Sequence, residues 1–436
     1  MKILIRNATV LTMDEEMHLY APGYVLTRDG RIEELGEEKE ILPEADEIID
    51  AGGGILLPGF INTHCHVPMM PFRSLGDDCP DRLRRFLFPL ENEAMTKELV
   101  ALSARYGICE MLLAGVTTFT DMYYFEDEVA KACEELGIRG VLGETVIGQK
   151  TCDSEEPYGG LLLAEEFIKT WKGCELVTPI IAPHATNTNS PKMLKKAYET
   201  ALKYDTLCTL HASEMDYELK YFKDEYGQTP IEFLNTLGIL GDHLLAAHCI
   251  HLTERDIALL SESKTTVSHC IGSNTKAGKG VAPVKDLLAA RIPVGLGTDG
   301  ASSGNTLDLF TQMRLFASFH KTENRDRSLF PAKEIVKLAT TGGAKTLHME
   351  HVLGSLEPGK KADMVLVETD SVNMFPCYDP YSALVYSANA SNVELVMVGG
   401  KVLVRGKRLV HADLKQIRKE LEDGIGSFRK AAESYI

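Results

Sequence analysis

Short alternating runs open the chain: KILIRNATVLT, GYVLTRDG, RIEELG, EIIDAGG and GILLP, all within residues 1–57. Apolar and polar positions alternating at period two mark strands with one buried face. The Asp29–Gly30 pair between two such runs is a hairpin signal. From residue 58 the texture changes. Eight strand-like stretches follow, GFINTHCH, GVTTFTD, IRGVLGE, LVTPIIAPH, TLCTLHASE, HLLAAHC, TTVSHC and IPVGLGTDG. Between them lie amphipathic helical stretches at 127–136, 162–171, 191–203, 229–237, 253–261, 283–290 and 307–321. Strand and helix alternating over roughly 250 residues predict an α/β fold, a TIM (β/α)8 barrel over 58–354. Short strands return after residue 355 (ADMVLVE, NVELVMVGG, KVLVRGKRLV), and a charged helix is expected at 412–434. Residues 1–57 and 355–436 are expected to pair into one small β-sandwich beside the barrel.

Composition narrows the class. The chain has 436 residues, 44% apolar and 25% charged, ordinary values for a globular protein. No apolar run reaches the roughly 18 residues a membrane span needs, and MKILIRNATVLTMDEE reads as a strand rather than a signal peptide. Ten cysteines without a C-x-x-C pair suit reduced thiols in a cytoplasm. A net charge of −17 disfavours nucleic acid and anionic membrane as partners. Composition therefore suits a cytoplasmic protein. The glycine-rich AGKGVAP lacks the order of a phosphate-binding loop.

In such barrels the chemistry sits at the C-terminal ends of the strands. Here those ends carry His64 and His66, His184, His211 followed by Glu214, His248, His269, and Asp299. Five of eight strand ends with a histidine, from a chain holding 13, is a concentration that scatter does not produce. Residues two apart on a strand share a face, so His64 and His66 can grip one ion, while Cys65 faces the other way into packing. Three imidazoles (His64, His66, His211) and the Asp299 carboxylate suit one divalent metal, zinc first and iron second, with a position left for water. No lysine ends the fourth strand to bridge a second metal. Glu214 is placed for general acid/base work, His248 to orient the attacking hydroxide, and Asp299 to bind metal and accept the water proton.

Seven segments in order carry a resemblance: PGFINTHCHVPMM, APHATNTNS, HASE, AAHCIHL, SHCIGSNTK, GTDGASSGNTLDLF and GSLEPGKKADMVLV. With them the whole chain resembles the amidohydrolase superfamily, most closely its methylthioadenosine/S-adenosylhomocysteine deaminase and chlorohydrolase branch. The resemblance implies the metal set His64, His66, His211 and Asp299, proton transfer by Glu214 and assistance by His248. It also implies substrate contact by His184 and ribose binding by Glu91 of FPLENE. Arg82, near the position of the branch's usual tryptophan, and Asn187, in place of the aromatic of H-A-P-Y, are further candidates for substrate contact. Glu144 and Leu161 stand where the branch has arginines. From these departures a stacking aromatic and two carboxylate-binding cations are expected to be missing. Repulsion by Glu144 then disfavours S-adenosylhomocysteine. The resemblance implies a homo-oligomer acting on a small heterocyclic molecule, and the expected activity is hydrolytic deamination of an adenosine derivative such as methylthioadenosine or 5'-deoxyadenosine. Alternatives are a pterin, guanine-like or triazine ring, removal of halide or alkylamine from a triazine, and a metal-free scaffold.

Overall fold

A computed structural model describes residues 1–435. The eight predicted barrel strands form as β6 (Phe60–Cys65), β7 (Val116–Tyr123), β8 (Arg139–Val146), β9 (Val177–Pro183), β10 (Cys208–Ala212), β11 (Leu244–His248), β12 (Thr266–His269) and β13 (Val294–Leu296). They were preceded by β1 (Lys2–Leu11), β2 (Leu19–Arg28), β3 (Arg31–Glu37), β4 (Glu47–Asp50) and β5 (Ile55–Pro58). The barrel strands pair in sequence order, all parallel. The last lies against the first, where the Asp299 amide donates to the His64 carbonyl at 3.0 Å. Nearly every residue of β6–β13 is buried. Burial on both faces is why these runs lack the strict alternation of residues 1–57, with threonines such as Thr117, Thr118 and Thr120 among the buried residues.

The two chain ends meet in one mixed sheet with β14 (Met364–Val367), β15 (Val393–Val398), β16 (Lys401–Arg405) and β17 (Arg408–Leu409). The join is β5 against β14, antiparallel, with Leu57 opposite Val365. This sheet buries a core of its own, including Ile3, Ile5, Val10, Leu56, Met364, Leu366 and Met397. It is tied to the barrel by a buried, two-pronged ion pair from Arg139 at the start of β8 to Asp363 (2.6 and 3.2 Å).

The closing helix differs from expectation. It is two helices, Leu414–Gly424 and Gly426–Ala432. Gly424 lies so close to the helix Lys97–Leu113 that a built Cβ would come within 2.5 Å of Leu102 Cδ1.

Candidate active site

Each candidate metal ligand sits where a strand stops, and the ring nitrogens converge. His211 Nε2 lies 3.2 Å from His64 Nε2 and 3.4 Å from His66 Nε2, and His66 Nε2 lies 3.4 Å from Asp299 Oδ1. Two of the tautomers are set by backbone oxygens, which can only accept. His66 Nδ1 donates to the Met122 carbonyl at 2.6 Å and His211 Nδ1 to the His184 carbonyl at 2.5 Å. Each therefore turns a bare Nε2 inward, the arrangement that orients metal-binding histidines. Burial, then the neighbouring imidazoles, hold His64 and His211 well below the usual histidine pKa, so they are neutral donors. Burial pushes the Asp299 pKa upward, but the groups around it, Lys279 among them, outweigh burial and lower it.

These residues fit a divalent ion. Ligand atoms about 2.1 Å from a tetrahedral centre stand about 3.4 Å apart, which is the spacing observed. Neutral nitrogens facing one another at that range repel unless a cation lies between them. Two overlapping groups, His64–His211–His248 and His64–His66–Asp299, meet at His64. His248 thus borders the same point as the four ligand candidates. Ser213, His248 and Asp299 all hold left-handed backbone conformations (φ 50°, 71° and 60°). Such strain in residues other than glycine collects at functional sites.

Around the cluster opens a cavity of about 490 Å³, the size of a small-ligand pocket. Glu214 faces it, its Oε1 3.7 Å from His248 Nε2 and hydrogen-bonded by Lys279 Nζ. Burial raises the Glu214 pKa, but His248 and Lys279 outweigh it and keep the carboxylate ionised. Its backbone is fixed from behind by Glu218, which accepts the amides of Ser213 (3.0 Å) and Glu214 (2.8 Å). Glu91 lines the cavity beside Tyr123, and burial raises its pKa to about 7. His184 lines it too, its pKa lowered to about 4 by burial and its Nδ1 3.0 Å from Thr188 Oγ1. His269 is elsewhere, packed in the barrel wall with its Nε2 3.1 Å from His320 Nε2.

Several expectations need correction. Asn187 does not line the cavity. The loop after β9 folds back onto β10 through the Ala185–His211 bridge, leaving Asn187 half-buried on the turn. Arg82 does line it, but its guanidinium is engaged by the Leu75 and Ser302 carbonyls. Glu144 points away from the cavity, which its neighbour Thr145 faces. Successive strand residues face opposite sides, and the Glu144 carboxyl accepts the Glu126 amide at the start of the helix Glu126–Leu136. Burial, then Asp153, push its pKa well up. It does not face a bound substrate, so the objection to S-adenosylhomocysteine falls. Leu161 is buried in the helix Gly160–Trp171. Aromatic rings do border the cavity from other positions, Phe88, Tyr123, Tyr124 and Tyr217, whereas its lysines Lys276 and Lys279 are paired with Asp77 and Glu214.

Sequence reasoning missed Lys279, Glu218 and Asn274, whose Oδ1 lies 2.8 Å from His248 Nδ1. Lys279 had a signal, as the charged residue of the AGKGVAP segment.

A nearly closed parallel barrel with a histidine-rich cluster fit for a divalent ion at its strand ends is the architecture of a metal-dependent hydrolase. Residues 55–403 match the amidohydrolase family, and the chain belongs to that family. It is 38% identical over 417 residues to the 5-methylthioadenosine/S-adenosylhomocysteine deaminase of Aquifex aeolicus, covering 95% of each chain. It is 36% identical to the 5'-deoxyadenosine deaminase of Methanosarcina mazei, covering 100% of this chain and 98% of that one. A solved adenosine deaminase from Xanthomonas campestris with bound zinc superposes with a TM-score of 0.95 at 28% identity, covering 98% of both chains. The protein is a hydrolase acting on carbon–nitrogen bonds. Among the described residues no helix is long and apolar enough to cross a membrane.

Proposed function

We propose that the protein is a zinc-dependent deaminase that replaces the exocyclic amine of an adenosine derivative with oxygen and releases ammonia. The observation that carries this reading is Glu214: an ionised carboxylate at the edge of the metal cluster, in the cavity, beside His248. His64, His66, His211 and Asp299 would hold the ion, and bound there it would supply a water of lowered pKa as nucleophile. Glu214 would take one proton from the attacking water and pass it to the ring nitrogen, which raises the ring carbon's susceptibility to attack. The second proton of that water, accepted by Asp299, would go to the amine, which leaves as ammonia as the carbon–oxygen double bond forms. His248, held through Nδ1 by Asn274, turns Nε2 toward the reacting oxygen. Leaving ammonia needs a proton and leaving chloride does not, so a proton shuttle favours the amine. The methylthioadenosine and 5'-deoxyadenosine named for the relatives are the substrates of choice.

The test is ammonia release from a panel of aminopurine nucleosides, pterins and triazines. The expected result is ammonia and the matching inosine derivative from 5'-deoxyadenosine or methylthioadenosine. No ammonia from any member would end the deaminase reading, and chloride without ammonia would replace it by triazine dechlorination.

Glu91 is the proposed holder of the ribose hydroxyls. Its pKa is raised to about 7, so it is neutral below that pH and becomes a carboxylate, the better acceptor, above it. Affinity for a nucleoside is therefore expected to strengthen between about pH 6 and pH 8. Glu91→Gln should raise KM about tenfold or more, as loss of charge-assisted hydrogen bonds does, and flatten that pH dependence. KM measured across this range for both proteins checks it; parallel profiles would remove Glu91 from the ribose site.

A further inference from the structure

We propose that Lys279 is a positioning residue for Glu214, the lysine that holds the proton-shuttling carboxylate in register with His248. This rests on the role given to Glu214 above. Glu214 follows the end of β10 on a side chain with several free torsions, and ordering such a chain costs entropy. Two groups reach its Oε1: the Lys279 ammonium by hydrogen bond, and His248 Nε2 at 3.7 Å. Only 17% of each side chain of the Lys279–Glu214 pair is exposed, so the contact is shielded from competing water.

The loop is shaped to deliver this lysine. Gly280 has φ +120°, which L side chains rarely adopt, and a built Cβ would come 3.0 Å from Ile250 Cγ2. The Lys279 amide donates to the Asn274 carbonyl at 2.9 Å. The Asn274 side-chain oxygen accepts from His248 Nδ1 at 2.8 Å. Glu214, Lys279, Asn274 and His248 thus form a closed ring in which one asparagine sets the position of both partners of the carboxylate. Lys276, three residues earlier on the same cavity wall, is taken up by Asp77 and Asn305 instead. Lys279 touches the general acid/base, and in this account it touches no reacting atom.

A double-mutant cycle tests it on the zinc-loaded full chain with 5'-deoxyadenosine: wild type, Lys279→Met, Lys279→Arg, Glu214→Gln, and the Met/Gln pair. Misplacing a catalytic group by about 1 Å can cost about 10²-fold. Lys279→Met is expected to lower kcat about 10–100-fold with KM within about threefold, and Lys279→Arg to recover most of it. In the Glu214→Gln background the same methionine should change kcat by less than about threefold, because residues acting as a unit are non-additive. An equal fold-loss in both backgrounds, or a loss carried by KM alone, would overturn the proposal, and zinc content and melting temperature identify any variant that fails to fold. If Glu214→Gln itself keeps wild-type turnover, it is the role of Glu214 that falls, and that arm shows it.

Discussion

His211→Ala protein is expected to lose its divalent metal and its turnover together. His211 Nε2 lies at the spacing of ligands around one centre from both His64 Nε2 and His66 Nε2. His211 is the member that brings β10 to a pair otherwise supplied by β6 alone. Alanine leaves two imidazoles and a carboxylate, one protein ligand fewer than the site offers, so the ion is held more weakly. Loss of an outer-shell partner already costs about 10–100-fold in metal affinity or activity, and a direct ligand costs more. Metal analysis after dialysis, alongside a melting curve compared with metal-stripped wild type, checks the expectation. Stoichiometric metal in an inactive variant would remove His211 from the ligand set.

Glu214→Gln should behave oppositely, keeping the metal and losing turnover. Glutamine matches glutamate in shape, and its carbonyl oxygen can still accept from Lys279 Nζ, so the cavity is preserved. What disappears is the capacity to take up and hand on a proton. General acid/base catalysis contributes about 10²–10⁴-fold, and a fall of kcat in that range with unchanged zinc content is the expected result. Loss of metal equal to that of His211→Ala would mean that Glu214 is a ligand rather than a proton shuttle.

Much of this was legible in the sequence because barrels concentrate information at strand ends. Eight strand-like runs alternating with helical stretches gave the strands, and reading off the residue at each end gave His64, His66, His184, His211, His248 and Asp299. The same rule also offered His269, which turns into the wall against His320. A strand end positions a residue without saying which way it faces. Facing decided Glu144 as well: the alternation of β8 puts Thr145 toward the cavity and Glu144 behind it, a parity the sequence contained and substitution by analogy overlooked. Lys279, Asn274 and Glu218 were harder. They lie in a loop and in helices after the strands, and only the folded backbone brings Lys279 to Glu214 across 65 residues. Asn187 failed for the same reason, since a turn's direction is not written in residue type.

Metal dependence and deamination are joined in one measurement: ammonia release from 5'-deoxyadenosine by protein stripped with chelator and then titrated with zinc. The account predicts no ammonia from the stripped protein, and activity that rises with added zinc to a plateau near one ion per chain. Full activity in the stripped protein, or a zinc-saturated protein that releases no ammonia, would contradict it.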